Sequence, residues 1–191
     1  MLHALDRIAG LAGTSAAVIG LGPIGLLFTH ALRALGATSV VGVDPVDRRD
    51  VAARFGLSGT VAATGADWAG SLPDPDRPDL VVEAVGHNPS TLNAAVDAVR
   101  PGGQIYCFGI PDAGPHPFDL RGFLRKNLRL TAGVTTERRH ALATAARYLA
   151  EHPDLADGYV TDVLPLDRTQ AAFERALRPE AGRLKIALRM A

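Results

Sequence analysis

The stretch Ser15-Ala16-Ala17-Val18-Ile19-Gly20-Leu21-Gly22-Pro23-Ile24-Gly25 decides how this chain is read. Residues 15–19 are short and apolar and run into glycines, the pattern of a buried strand. Behind them, Ile24, Leu27, Phe28, Ala31 and Leu35 repeat at helical spacing, and Gly36 ends that helix. Between strand and helix, Gly20, Gly22 and Gly25 fit G-x-G-x-x-G in the context the motif requires. The first glycine permits a sharp turn. The second removes a side chain where a pyrophosphate would approach, and the third lets the helix pack close to the strand. Pro23 sits in the first helical turn, where its missing N–H costs little. The helix start then offers free N–H groups to phosphates. A tight strand–helix turn that binds nothing is the alternative reading.

Asp44 weighs against that alternative. It closes the next strand, Ser39 to Val43, 19 residues after Gly25, near the ~20 at which an acid bonds the adenosine ribose. An acid here repels a 2′-phosphate, so NAD is favoured over NADP; a turn-capping role before Pro45 stays open. Arg48 and Arg49 follow, and an arginine here stacks on adenine, takes up a 2′-phosphate or is simply solvated. With Asp44 present, stacking or solvation is preferred, and Arg49 is carried as a cofactor candidate.

Outward from this motif, strands are expected at Thr60–Ala63, Asp79–Val85, Gln104–Phe108 and Leu128–Ala132. Helices are expected at about Asp47–Phe55, around Leu92–Val99, at Phe118–Arg125 and at Thr136–Glu151, the last with Leu142, Ala145, Ala146 and Leu149 inward. Ser71–Pro78, with three prolines, is expected to be an irregular loop. Six alternating strands imply an α/β fold, a doubly wound parallel sheet of the Rossmann type. The tail reads as a strand at Thr161–Leu164, a helix from Asp167 (its N-cap) to Arg178 with Phe173, Ala176 and Leu177 inward, and a strand at Leu184–Leu188. Two units are therefore expected: a dinucleotide-binding domain over 1–152 and a C-terminal strand–helix–strand extension over 153–191. The nicotinamide end belongs at the ends of the fourth and fifth strands, at Val85, Gly86 and His87, then Phe108, Gly109, Ile110 and Pro111.

Composition sets the outer limits. The 191 residues carry 20 Lys+Arg and 20 Asp+Glu, so a zero formal charge gives no reason to expect nucleic acid or a membrane surface. No run approaches the ~18 apolar residues of a membrane span. The first residues lack a basic stretch followed by an apolar one, so a cytoplasmic protein is expected. Cys107 is the one cysteine, which excludes an intramolecular disulfide and a cysteine-rich zinc site. The six histidines show no metal-ligand spacing, so no metal ligands are assigned. Cys107 reads as core, Glu83 as structural, Ser90-Thr91 as helix capping, and His87 as a loop histidine rather than an acid/base group.

With these blocks in order, the chain resembles the zinc-type medium-chain dehydrogenases, in the alcohol, polyol and threonine dehydrogenase branch. Carrying residues are 17–26, Val41-Gly42-Val43-Asp44, Val81-Val82-Glu83-Ala84-Val85-Gly86, Gly102-Gly103, Phe108-Gly109-Ile110-Pro111 and Lys126-Asn127-Leu128. In the tail they are Val163-Leu164-Pro165-Leu166, Ala171-Ala172-Phe173 and Gly182-Arg183-Leu184-Lys185-Ile186. The resemblance implies hydride transfer between an alcohol or polyol and NAD, a homodimer, and a catalytic zinc held by a GroES-like domain. These residues contain no Gly-His-Glu zinc motif and no four-cysteine loop. The tail resembles the segment that returns to complete that domain. A free-standing NAD- or ligand-binding domain, turned to non-redox catalysis or protein interaction, is the second reading.

Overall fold

The computed structural model describes residues 1–190, apart from the side chains of residues 156 and 157. Six strands, β1 (Ser15–Ile19), β2 (Ser39–Asp44), β3 (Gly59–Ala62), β4 (Leu80–Glu83), β5 (Gln104–Cys107) and β6 (Arg129–Ala132), form one parallel sheet ordered β3-β2-β1-β4-β5-β6. Strand order reverses between β1 and β4, which opens a crevice at their C-terminal ends. The helices are α1 (Leu2–Leu5), α2 (Pro23–Ala34), α3 (Arg49–Ala52), α4 (Gly65–Ser71), α5 (Ser90–Ala98), α6 (Leu120–Arg125), α7 (Arg138–Glu151), α8 (Asp154–Tyr159) and α9 (Thr169–Ala176). A second sheet pairs β7 (Val160–Pro165) with β8 (Lys185–Arg189), also in parallel.

Strand alternation divides the core in two. On one face Ala16, Val18, Val40, Leu80 and Val82 pack under Leu26, Phe28 and Leu32 of α2. On the other, Ala17, Ile19, Val43, Val81 and Ile105 pack under Trp68 of α4 and Ala94 and Ala95 of α5. The central strands are buried on both faces, which explains their unbroken apolar runs. Leu155 and Leu184 of the tail join the first cluster, so the small second sheet borrows its core from the large one.

Several elements differ from the sequence reading. Helix α4 was not expected; Thr64 caps it, its hydroxyl accepting the Asp67 N–H, and it buries Trp68 and Ala69. The short α8 was also not expected. The helix expected at Asp47–Phe55 is α3 followed by a 3-10 turn, and another 3-10 turn at Asp74–Asp76 lies within the proline-rich loop. Along α7, Leu142 is 70% exposed, and Leu149 and Ala146 also face outward. The helix is rotated because it docks through a polar contact, Tyr148 Oη lying 2.7 Å from His30 Nδ1 of α2. Ala141, Ala145 and Tyr148 are the half-buried side. In α9 only Ala172 is buried, while Phe173 and Leu177 are 65% and 81% exposed. A two-stranded sheet is too narrow to cover more of that helix. Asp167 lies in a 3-10 turn before α9, whose N-terminus has no side-chain cap.

His30 is stacked edge-on against both Tyr148 and His152, the two imidazole centroids 5.0 Å apart. Burial first, then the charge of His152, lowers its pKa below 6.5, with Asp154 opposing. The unfolded chain takes up this proton at higher pH than the folded one. Stability should therefore fall as pH drops below about 6.5 toward the folded-state value. Urea midpoints measured between about pH 7.5 and 5 should decline, and His30→Gln should flatten that slope.

Candidate functional site

Two clefts open at the C-terminal ends of the strands, and both are lined by Ala84 and Val85. The first, of about 460 Å³, is bounded by Gly20, Gly22, Asp44, Arg48, Thr64 and His87. The second, of about 710 Å³, is bounded by Ile24, Tyr106, Cys107, Phe108, Gly109 and Ile110.

Each motif glycine has a distinct geometric reason. Gly20 has φ +93°, and a Cβ there would stand 2.7 Å from Val85 Cγ2. A Cβ on Gly25 would lie 1.8 Å from the Gly20 carbonyl oxygen, so α2 approaches β1 as only glycine allows. Gly22 is different. It is the extended N-cap of α2, and a Cβ there meets open space within 4 Å. Pro23 opens the helix, and no side chain caps its N-terminal N–H groups. Leu26 N–H closes the first turn on the Gly22 carbonyl at 3.0 Å.

Asp44 braces this turn. Its Oδ2 accepts the Leu21 N–H at 2.7 Å and its Oδ1 accepts the Val46 N–H at 2.8 Å. Each carboxylate oxygen has a second lone-pair site to spare, and the residue lines the first cleft. The two arginines after it part company. Arg49 is exposed and pairs with Asp47, whose carboxyl it holds down to about 2; neither lines the first cleft. Arg48 is buried at the cleft wall, its Nη1 donating to the Glu180 and Arg183 carbonyls at 2.8 and 3.0 Å. Arg49 thus stands apart from the other candidates, and Arg48 ties the C-terminal loop to the cleft. Nothing in the spacing distinguishes the two; only the fold of the tail does.

At the other end, Val85 walls both clefts. Gly86 has φ +81°, and a Cβ there would fall 2.5 Å from the backbone N and O of Ile110. A Cβ on Gly109 would fall 2.2 Å from the Gly86 nitrogen. These glycines let the two loops cross backbone against backbone. Phe108 packs edge-on against Phe28, ring centroids 4.9 Å apart, and Ile110 is exposed. His87 belongs to the first cleft rather than the second, its Nδ1 lying 3.1 Å from the Val85 carbonyl oxygen. Cys107 lines the second cleft. Burial, with the adjacent Glu83 carboxylate, pushes its thiol up to about 11.

Among the described residues, no group of three or more His, Cys, Asp or Glu could hold a metal ion. The side chains present therefore do not fit a zinc site. No helix among them is long and apolar enough to cross a membrane. The Gly22 cradle, the uncapped helix start and the acid at the end of β2 do fit a dinucleotide.

A six-stranded parallel sheet with a glycine turn at its switch point defines a Rossmann-type α/β protein. Residues 23–151 match the zinc-binding dehydrogenase family, and the chain belongs to that family. It is 28% identical over 190 residues to a sorbitol dehydrogenase of Bacillus subtilis, covering 97% of this chain and 53% of the relative. It is similar to the alcohol dehydrogenase TADH from Thermus sp. ATN1, at 32% identity and TM-score 0.73, covering 94% of this chain and 52% of that one. A putative zinc-binding dehydrogenase from Sinorhizobium meliloti 1021, solved bound to NADP, shares the fold at TM-score 0.80 and 24% identity, over 98% of this chain and 55% of that one. The chain spans about half the length of the curated relatives it matches.

The glycine geometry generates a stability test. Gly25→Ala should destabilise the chain by about 1–3 kcal/mol, the usual cost of forcing an atom into a filled site. Gly22→Ala, whose new methyl meets open space, should shift the urea midpoint by much less.

Proposed function

We propose that this chain is the dinucleotide-binding unit of a zinc-type alcohol or polyol dehydrogenase, and that it binds NAD in preference to NADP. One observation carries the reading: Gly22 leaves open space at the uncapped start of α2, within one cleft with Asp44. Helix N–H groups and the positive dipole end would receive the pyrophosphate. The spare acceptor capacity of Asp44 would take ribose hydroxyls, and its charge would oppose a 2′-phosphate. The second cleft, walled by Val85, Phe108, Gly109 and Ile110, would receive the nicotinamide half.

Zinc chemistry in such an enzyme would need ligands other than the side chains described above. This chain's part would be to bind and orient the cofactor. Residues 1–152 would form the binding domain, and 153–191 the segment that packs against the zinc-bearing domain, with Phe173 and Leu177 exposed for that contact. A homodimer belongs to the same reading. The edge strand β6 contains no proline that would block pairing along it. Leu130 on that edge is 40% exposed.

Two substitutions test the proposal by calorimetry. Gly22→Val should weaken NAD binding by about a hundredfold or more, since its side chain would fill the pyrophosphate's space, while the melting temperature stays near that of the parent. Equal affinity in the two proteins would refute the placement. Asp44→Ser should narrow the NAD/NADP affinity ratio by ~1–3 kcal/mol, the range for losing charged hydrogen bonds. A parent chain that already prefers NADP would overturn the assignment of Asp44.

A further inference from the structure

The turn that closes β4 is held from inside by one carboxylate. Glu83 is 1% exposed. Its Oε1 accepts the Val85 and Gly86 N–H groups, both at 2.9 Å, and lies 2.8 Å from the Thr91 hydroxyl of α5, whose one proton it shares with the Asn88 carbonyl oxygen at 2.7 Å. The main-chain oxygen of the same residue accepts the Phe108 and Gly109 N–H groups at 2.9 and 3.1 Å. Oε2 faces the Cys107 Sγ at 3.8 Å. No salt bridge reaches Glu83 among the described residues. Its burial is therefore compensated by hydrogen bonds from neutral donors, which are strengthened by the charge they meet.

Through these bonds Glu83 joins the turn 84–86, the start of α5 and the turn 108–109. These are the segments where the two clefts meet, since Ala84 and Val85 line both. The turn is also confined from outside, by Gly20 beneath Val85 and by Ile110 against Gly86. A small shift in it would therefore change the passage from one cleft to the other before it changed either cleft alone.

We infer that Glu83 is a positioning residue that sets the Ala84–Val85 ridge between the two clefts, so that a single dinucleotide can lie across both. This rests on the dinucleotide reading above. It predicts a split between ligands. A full dinucleotide must cross the ridge, whereas ADP, which ends at the pyrophosphate, needs only the first cleft.

The test uses the full chain as wild type, Glu83→Gln and Thr91→Val, with binding of NAD and of ADP measured by calorimetry. Glutamine keeps the shape and one oxygen acceptor but loses the charge that strengthens the bonds. Glu83→Gln should weaken NAD binding about tenfold and ADP binding by less than about twofold. Thr91→Val removes the hydroxyl shared between Oε1 and the Asn88 carbonyl and leaves the carboxylate in place, so it should show the same split at about threefold or less, and it keeps the inference testable if Glu83→Gln fails to fold. Alkylation of Cys107 by iodoacetamide reports the carboxylate directly. In Glu83→Gln the rate profile should move to lower pH, because a neighbouring negative charge is gone. Equal losses for both ligands, unchanged NAD binding in the folded variants, or an unmoved alkylation profile would overturn the inference while leaving the dinucleotide reading intact. A wild-type chain that binds neither ligand would overturn both.

Discussion

Everything at the switch point depends on how closely α2 approaches the end of β1. Gly25 lies against the Gly20 carbonyl at a distance that excludes a side chain. That contact aims the N-terminus of α2 into the crevice, and the Asp44 carboxylate holds the intervening turn through the Leu21 N–H. A helix set back by the width of a methyl group would point its N–H groups elsewhere. The open space at Gly22 is useful only because Gly20 and Gly25 are filled to contact.

The opposite wall is built by the same device. Gly86 and Gly109 allow two loops to cross backbone to backbone, and Glu83 ties them with its side chain and its main-chain oxygen. In both walls a carboxylate at the end of a strand holds a glycine turn, Asp44 through one N–H of it and Glu83 through two. Such charge-assisted bonds are stronger than neutral ones, which suits turns that must hold shape beside an open cleft. The tail contributes through Arg48, whose guanidinium donates to two carbonyls of the C-terminal loop and so couples that loop to the first cleft.

The buried strands, the glycine turn and the acid 19 residues after Gly25 were legible because each has a local cause: apolar runs, a required φ or close approach, and a fixed strand-to-strand spacing. Helix α4 was missed although Thr64 and Asp67 stand at capping spacing, because its short, glycine-containing sequence shows little periodicity. The inward faces of α7 and α9 were misassigned for another reason. Counting apolar residues finds a stripe, but which stripe is covered depends on what is opposite. Tyr148 meeting His30 turned α7, and a two-stranded sheet could cover only Ala172 of α9.

The apolar runs and the glycine spacing are enough to specify a doubly wound parallel sheet with a tight glycine turn at its centre, because strand burial and turn geometry are imposed within a few residues of their cause. Packing across the fold is what brings Arg48 and not Arg49 to the cleft, turns His87 to the first cleft rather than the second, and makes Glu83, the last residue of β4, the point where three segments are joined. The arginine and the glutamate depend on contacts between segments far apart in the chain: residue 48 with 180 and 183, and 83 with 107, 108 and 109. Such contacts arise when packing brings surfaces together, and no local pattern records them.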